Sequence, residues 1–145
     1  MVDALNQQWV TLIEGKIYLS VGSGHVTVES MHQFDQEVIS KIEASDATLV
    51  HLISDTRYIL SIPSLGEMQK LKYPHHPRMG YNLTIGAFHN PLMRFIISLS
   101  LSVTRLRYRD VNTLEEACAY LAQKDPSLPP LDTWNIPANS DASAL

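Results

Sequence analysis

The sequence predicts an α/β domain with a mixed, largely parallel sheet of about five strands, opened by a β-hairpin and flanked by four helices. Three observations predict this fold. Residues 49–53 (LVHLI) have the length and the branched side chains of a buried central strand. Two strand-like segments near the start are joined by Glu14-Gly15, which is typical of a hairpin. Helical and strand patterns then alternate to about residue 124, which favours parallel strands with helical connections.

The first part of the chain contains the hairpin and one amphipathic helix. Residues 9–13 and 16–21 carry the two hairpin strands, and Gly22-Ser23-Gly24 is predicted to end the second strand. Thr27 has the side chain of a helix N-cap. The apolar positions that follow it recur every three or four residues, as in a helix with one buried face: Met31, Phe34, Val38 and Ile42.

The central strand leads into a serine-containing turn. Polar residues 54–57 predict an interruption after the strand, and residues 58–60 form a short apolar patch. Ser64 and Glu67 have the spacing of a capping box, which predicts the start of the second helix. Residues 81–88 have the pattern of the next strand.

The last part of the domain contains two helices and a strand rich in arginine. Asn90-Pro91 starts a helix over residues 92–103, which is apolar on most faces and is expected to be buried or to form an interface. Residues 105–111 alternate arginine with other side chains, which predicts a strand with one basic face near a sheet edge. Thr113 and Glu116 have the spacing of a second capping box, opening the last helix.

The chain divides into a lead, a domain and an arm. We assign residues 1–8 to an N-terminal lead, residues 9–124 to the α/β domain and residues 125–145 to a proline-rich C-terminal arm. Residues 127–136 are expected to run extended over the domain surface. Trp134 is expected to dock in a groove of the same or a neighbouring chain, because burial of so large an apolar side chain is favourable.

Composition limits the classes of function. The chain has 145 residues, of which 45% are hydrophobic and 18% are charged, as in a globular domain with its own core. A net charge of −4 argues against nucleic-acid binding through a broad basic face. The single cysteine, Cys118, excludes a disulfide within the chain and fits a reducing compartment. Residues 1–8 lack the features of a secretory signal and no apolar segment is long enough to insert in a membrane, so we expect a cytoplasmic protein.

Four arginines are candidates for an anion-binding site, because the planar guanidinium group matches phosphate and carboxylate. They are Arg57, Arg94, Arg105 and Arg107, and Arg109 continues the same strand pattern. The alternative is an exposed basic face of the strand that pairs with Glu115 and Glu116.

No pattern in the sequence indicates a metal, a cofactor or catalysis. His75-His76 lies between prolines without further ligands at metal spacing. A nucleophile turn of the Gly-x-Ser-x-Gly type and a glycine-rich phosphate loop are both missing. Asp55 follows the central strand but lacks the acidic pair and the lysine that a receiver domain needs. His51, inside the apolar strand, is predicted to be a hydrogen-bonded core histidine. We therefore expect a protein that is not an enzyme.

Three stretches of the chain resemble STAS domains, the fold of the sporulation anti-anti-sigma factor and of the cytoplasmic domains of sulfate transporters. Residues 49–65 are similar to the central strand and the following loop of that family, and residues 80–88 to its next strand. Residues 105–121 (RLRYRDVNTLEEACAYL) are similar to its closing strand and helix. The resemblance covers residues 9–123 and implies a regulatory or protein-interaction module.

The resemblance also implies candidate phosphoacceptors, with one departure from the family pattern. Phosphoregulated STAS domains carry Asp-Ser-Ser-Gly-Leu at the start of the second helix, whereas residues 60–66 read LSIPSLG. Ser61 and Ser64 are the candidate acceptors there, and the alternative role for Ser64 is a helix N-cap.

Two further expectations concern what the protein binds. The apolar surface of residues 92–103 predicts self-association into a homodimer. The alternative to a protein-interaction module is a carrier, in which that helix and the strand ends enclose an apolar or anionic small molecule. A carrier requires a cavity in its core, and an interaction module requires a filled core with an exposed apolar patch.

Overall fold

One five-stranded sheet forms the centre of the molecule. A computed structural model describes residues 5–64, 66–67, 76–86 and 107–137. The strands lie in the sheet in chain order: β1 (Asn6–Ile13), β2 (Ile17–His25), β3 (Val50–Ser61), β4 (Met79–Ile85) and β5 (Arg107–Val111). β1 pairs antiparallel with β2, and each later strand pairs parallel with the one before it. The predicted mixed, largely parallel sheet opened by a hairpin is confirmed, and β5 is an edge strand among those described, as expected.

The hairpin turn and the first helix form for local reasons that the sequence shows. Gly15 has φ 73°, a left-handed conformation that favours glycine, and it sits in the turn between β1 and β2. Helix α1 (Val28–Glu43) begins after Thr27, whose Oγ1 accepts a hydrogen bond from the Ser30 amide at 3.0 Å. The Ser30 hydroxyl in turn accepts from the Thr27 amide at 2.8 Å, so the predicted N-cap is confirmed as a reciprocal capping box.

The final helix begins at the predicted threonine. In helix α2 (Leu114–Lys124), Thr113 Oγ1 accepts from the Glu116 amide at 3.1 Å. The Glu116 carboxylate accepts from the amide of Asn112 at 3.0 Å, one residue before the position that a capping box predicts. Both contacts supply partners to amides at the helix start, and Asp125 ends the helix at its other terminus.

The two remaining predicted helices fall mostly on residues that the structure does not describe. Of the helix predicted after Ser64, Gly66 and Glu67 are described and both are helical. The helix predicted over residues 92–103 lies wholly outside the described residues. No helix in the described part of the chain is long and apolar enough to cross a bilayer.

The sheet separates two apolar cores. Helix α2 covers one face, and the core there contains mainly side chains from every strand and from this helix: Leu12, Ile17, Leu19, Val21, Ile53, Leu83, Ile85, Val111, Leu114, Ala117, Cys118, Leu121 and Trp134. Helix α1 covers part of the other face through Ile42, which packs with Tyr18 and Val50. Because side chains alternate along a strand, neighbouring residues of β2 contribute to opposite cores.

The predicted interruption at residues 54–57 is wrong, because β3 continues through them to Ser61. The polar side chains do not end the strand, since pairing with β2 runs from His51 to Asp55 and, after a register shift at Thr56 and Arg57, continues from Tyr58 to Ser61. The charge of Asp55, which is buried, is compensated by Arg57 two residues later. The polar residues therefore coincide with an irregularity in the strand pairing and not with a turn that ends the strand.

The predicted end of the second strand at Gly22-Ser23-Gly24 is also wrong, since β2 runs to His25. Gly22 lies against Ile59 of β3, whose Cδ1 would be 3.2 Å from a Cβ at this position. Gly24 has φ 96° and precedes an irregularity in the pairing with β3. The glycines thus allow close packing and a bulge within a strand.

The C-terminal arm docks on its own domain. Trp134 is 6% exposed and belongs to the core beneath α2, and its indole Nε1–H donates to the carbonyl of Pro129 at 3.0 Å. The Asn135 amide donates to the Leu12 carbonyl at 2.9 Å, which ties the arm to β1. A short 3₁₀ helix (Leu131–Thr133) interrupts the run that was expected to be extended. The expected burial of Trp134 is confirmed.

Candidate functional site

The carboxyl ends of the parallel strands lie along one edge of the sheet, and two of the candidate residues lie there. β2, β3, β4 and β5 are parallel and end at His25, Ser61, Ile85 and Val111. In open α/β sheets, ligands and partners commonly bind outside this edge. Ser61 is the last residue of β3 and Arg57 lies four residues before it. We call this region, with the adjoining Ser64, the carboxyl edge.

Ser61 is paired with a histidine at the carboxyl edge. Its Oγ lies 2.6 Å from Nδ1 of His25, the last residue of β2, and its carbonyl accepts from the Val26 amide at 2.9 Å. Both side chains are half-buried. The imidazole can therefore accept the hydroxyl proton of Ser61 or donate to its oxygen, which makes Ser61 a polar group held in one orientation.

Ser64 has the contacts of an N-cap. Its Oγ accepts from the Glu67 amide at 3.3 Å and donates to Oε1 of Glu67 at 3.0 Å. The Ser64 amide donates to the same carboxylate at 3.3 Å, which completes the reciprocal arrangement of a capping box. The side chain is exposed, so this capping contact and access by another protein are compatible.

We expect Ser64→Ala to lower the free energy of unfolding by about 1 kcal/mol, because the Glu67 amide loses its acceptor. Ser64→Thr is the matched control, since it keeps a capping hydroxyl and should stay within a few tenths of a kcal/mol of the wild type. Urea denaturation of both variants measures the difference. Equal stability of the alanine variant and the wild type would remove the N-cap assignment.

Arg57 is bound to a carboxylate of its own strand. Its Nε donates to Asp55 Oδ1 at 3.0 Å and its Nη2 to Asp55 Oδ2 at 2.7 Å, a bidentate pair. The aliphatic part of Arg57 lies over Gly86, where a Cβ would be 3.0 Å from Cδ and closer still to Cγ. Gly86 also has φ 61°, a left-handed conformation. Arg57 therefore neutralises the charge of the buried Asp55 carboxylate.

Of the remaining candidate arginines, only Arg107 is described, and it does not lie with Arg57. Arg107 begins β5 and pairs in register with Tyr81, whereas Arg57 lies beyond the residue of β3 that pairs with Ile85 at the end of β4. Arg107 therefore lies near the amino ends of the parallel strands and Arg57 near their carboxyl ends. Arg94 and Arg105 lie outside the described residues.

A buried histidine–aspartate pair connects α2 to the sheet. His51 is 0% exposed, its Nδ1 accepts from the Tyr81 amide at 2.9 Å, and its Nε2 lies 2.7 Å from Asp125 Oδ2. Because Nδ1 is an acceptor, the ring proton lies on Nε2 and is donated to Asp125. The prediction of a hydrogen-bonded core histidine is confirmed. Sequence reasoning missed Asp125, for which a helix C-terminus followed by Pro126 is a weak signal.

The protonation of this pair follows from its surroundings. Burial lowers the pKa of His51, and the hydrogen bond and charge of Asp125 only partly offset that effect. Burial raises the pKa of Asp125, but hydrogen bonds from Ser127 and His51 outweigh it and the pKa lies below its usual value. The pair is thus a neutral histidine bound to a carboxylate at neutral pH, and it holds the end of α2 against β3 and β4.

Neither the cysteine nor a cluster of metal-binding side chains provides site chemistry in the described residues. Burial raises the pKa of the Cys118 thiol to about 11, so the cysteine is a core side chain without thiolate character. No three His, Cys, Asp or Glu side chains among the described residues lie together as a metal site.

Comparison with solved structures assigns the fold. An uncharacterized protein of the DUF3478 family from Shewanella loihica PV-4, with a SpoIIAA-like fold, aligns with a TM-score of 0.57 and 13% identity over 81% of this chain and 93% of that one. The anti-sigma factor antagonist SpoIIAA in its unphosphorylated form aligns with a TM-score of 0.53 and 15% identity over 81% of this chain and 97% of that one. The chain has a SpoIIAA-like, or STAS-like, fold.

A third solved structure with this fold agrees. An anti-sigma factor antagonist from Mycobacterium paratuberculosis aligns with a TM-score of 0.52 and 14% identity over 82% of this chain and 95% of that one. The sequence matches no protein-family model and has no significant match among curated proteins. At identities of 13–15%, the likeness establishes the SpoIIAA-like fold.

Proposed function

We propose that this protein is a non-enzymatic, cytoplasmic regulatory module that binds another protein through the carboxyl edge of its sheet. The observation that carries the proposal is Leu60, which is 67% exposed in a strand and lies next to Ser61. A partner that covers Leu60 would remove its apolar surface from water, which is favourable, and could also contact the polar groups beside it. Two of the similar solved structures are anti-sigma factor antagonists, which is consistent with an interaction module.

Two candidate phosphoacceptors lie beside the exposed leucine. Ser61 follows Leu60 directly, and Ser64 lies three residues further along the chain. Phosphorylation of Ser61 or Ser64 would therefore add negative charge next to the apolar side chain and change the binding of a partner.

The described residues do not combine a nucleophile with a complete catalytic group. Ser61 contacts His25, but no described carboxylate pairs with that histidine to orient it. The histidine that has a carboxylate partner, His51, is buried in the core and takes both of its ring contacts from structural groups. This arrangement supports the proposal of a non-enzymatic role.

The cavity described beside α1 is too small for a carried ligand. A cavity of about 10 Å³ lies beside α1, room for about one water-sized sphere. Its lining is largely apolar: Trp9, Tyr18, Val38, Lys41, Ile42, Val50, His51, Leu52 and Met79. Small-molecule sites usually enclose roughly 300–1,000 Å³. The carrier prediction places its ligand beneath residues 92–103, which lie outside the described residues, and the exposed Leu60 is the observation that favours the interaction module.

Site-specific photocrosslinking in the native host tests the proposal. A photoreactive amino acid at position 60 is expected to give a discrete crosslinked partner, which Leu60→Asp should lose from affinity purifications. Leu131 is the matched control, because it is exposed at 38% on the C-terminal arm. Equal recovery of the same partners by Leu60→Asp, Leu131→Asp and wild type would contradict the proposal.

The same experiment addresses the predictions on self-association and phosphorylation. A crosslink between two copies of this chain would make the partner a second protomer, in line with the predicted homodimer. Mass spectrometry of the purified protein locates any phosphate on Ser61 or Ser64. A partner bound equally by unmodified and phosphorylated protein would remove the regulatory part of the proposal.

A further inference from the structure

A set of cations stacked on aromatic rings lies on β5 and α2, apart from the carboxyl edge. Arg107 Cζ lies 5.7 Å from the centroid of the Tyr81 ring, and Arg109 Cζ lies 4.6 Å from that of Tyr120. The ammonium group of Lys124 lies 5.6 Å from the same Tyr120 ring. All three cationic side chains are exposed, whereas both tyrosines are half-buried and pack against the core. We call these five residues the cationic surface.

The rings hold the cations in place. Tyr81 and Tyr120 meet edge to face, with centroids 5.6 Å apart and planes at 86°, so the two rings form one rigid support. Each arginine lies over one ring, which restricts its rotamers and reduces the entropy that is lost when an anion binds. A cation held in this way is better prepared for binding than an arginine that moves freely in solvent.

The cations of this surface are not neutralised within the described part of the chain. The ion pairs there join His51 to Asp125 and Arg57 to Asp55. Arg107, Arg109 and Lys124 have no described carboxylate as a partner, although the whole chain is acidic with a net charge of −4. Like charges that lie close together attract an anion.

We infer that the cationic surface binds an extended acidic segment of a partner protein, with acidic side chains at alternate positions. Arg107 and Arg109 are two residues apart on β5, an edge strand among those described, and expose the same face, so they lie about 7 Å apart along the strand. An extended segment presents every second side chain at the same repeat. Such a segment lying along β5 would place its carboxylates opposite both guanidinium groups, and opposite charges stabilise strand pairs.

The structure favours this occupant over a nucleic acid. Proteins that bind single-stranded nucleic acid stack its bases on open aromatic side chains. The rings of Tyr81 and Tyr120 are instead covered by cationic side chains. The inference is independent of the proposed function, because the carboxyl edge and the cationic surface share no residue.

Fluorescence anisotropy with synthetic peptides tests the inference. The probe is a labelled ten-residue peptide of alternating Thr and Glu. One control peptide has the same composition with the glutamates in one block, and a second has glutamine in place of glutamate. We expect the alternating peptide to bind best, and Arg107→Gln with Arg109→Gln to weaken it by about tenfold or more. Circular dichroism verifies that the variant is folded.

A charge-matched variant separates the surface from net charge. Lys16→Gln with Lys41→Gln removes the same charge, and Lys41 also lies over aromatic rings, those of Trp9 and Tyr18. This control should bind the alternating peptide like wild type, and Leu60→Asp should do so as well. The latter result keeps the test separate from that of the carboxyl edge.

Several outcomes would overturn the inference. Equal weakening of peptide binding by the two double variants would show that only net charge attracts the peptide. Equal binding of the alternating and block peptides would show that the spacing of the glutamates does not matter. Tighter binding of a single-stranded oligonucleotide, lost in the Arg107→Gln with Arg109→Gln variant, would make nucleic acid the ligand. Concentration-dependent light scattering that disappears in that variant would make a second copy of this chain the occupant.

Discussion

Gly80→Ala is expected to lower the free energy of unfolding by about 3–5 kcal/mol, because the new methyl group would overlap the buried imidazole of His51. A Cβ at Gly80 would lie 2.6 Å from Cε1 of His51 and closer still to Nδ1. The ring cannot move aside cheaply, since the Tyr81 amide and the Asp125 carboxylate hold it at 2.9 and 2.7 Å. Urea denaturation measures the loss.

A matched glycine and a double-mutant cycle test the cause. A Cβ at Gly66 would have no atom within 4 Å and this residue is helical, so Gly66→Ala should be neutral or slightly stabilising. In a His51→Ala background the space of the ring becomes free, and adding Gly80→Ala should then cost much less than it does alone. Additive effects of the two substitutions would show that the overlap with the ring is not the reason.

His51→Gln is expected to lower the free energy of unfolding by about 2–3 kcal/mol at pH 7.5, and the size of this loss should depend on pH. Glutamine carries an acceptor and a donor, but both lie at the end of its side chain, whereas the ring accepts at Nδ1 and donates at Nε2. The substitution therefore loses at least one of the two contacts and fills less space than the ring. The difference between wild type and His51→Gln measures the contact that holds the end of α2 to the sheet, because His51 is fully buried there.

The pH dependence follows from the lowered pKa of His51. Burial is the main cause, so the unfolded chain binds the histidine proton more readily than the folded one. Wild-type stability should therefore be fully present above the ordinary histidine pKa and fall at lower pH, by at most about 1.4 kcal/mol per pH unit from this group. The glutamine variant lacks this term, so its difference from wild type should shrink between pH 7.5 and 5.

Asp35 has the opposite effect but does not disturb the comparison. Burial raises its pKa to about 6, so the folded state gains stability as pH falls through that value. Wild type and His51→Gln both contain Asp35, and its contribution cancels in their difference. A difference that stays constant from pH 7.5 to 5 would contradict the assigned protonation of His51.

Much of the fold could be predicted because its signals are local. Thr27 and Thr113 cap their helices through hydrogen bonds to amides three residues away. Gly15 supplies the left-handed turn of the opening hairpin. Alternating elements after that hairpin indicate parallel strands, and the sheet has that topology. These features depend on residues that are neighbours in the chain, so the sequence alone is sufficient.

The candidate site was predicted only in part. Ser61 and Ser64 are described in the strand end and capped turn where the resemblance to STAS domains indicates them. Their contacts differ in kind, because Ser64 pairs with Glu67 three residues later, whereas Ser61 pairs with His25 from another strand. The sequence makes Arg57 a candidate for an anion site, but its guanidinium group forms an ion pair with the nearby Asp55 carboxylate.

The sequence by itself determined the class of fold, the helix starts and the apolar faces, since each follows from side chains close together in the chain. The tertiary structure decided which distant groups meet. His51 and Asp125 are 74 residues apart and pair only because β3 and the end of α2 are packed together. The cations of β5 lie over Tyr81 and Tyr120 for the same reason, since strand register and helix docking set those distances.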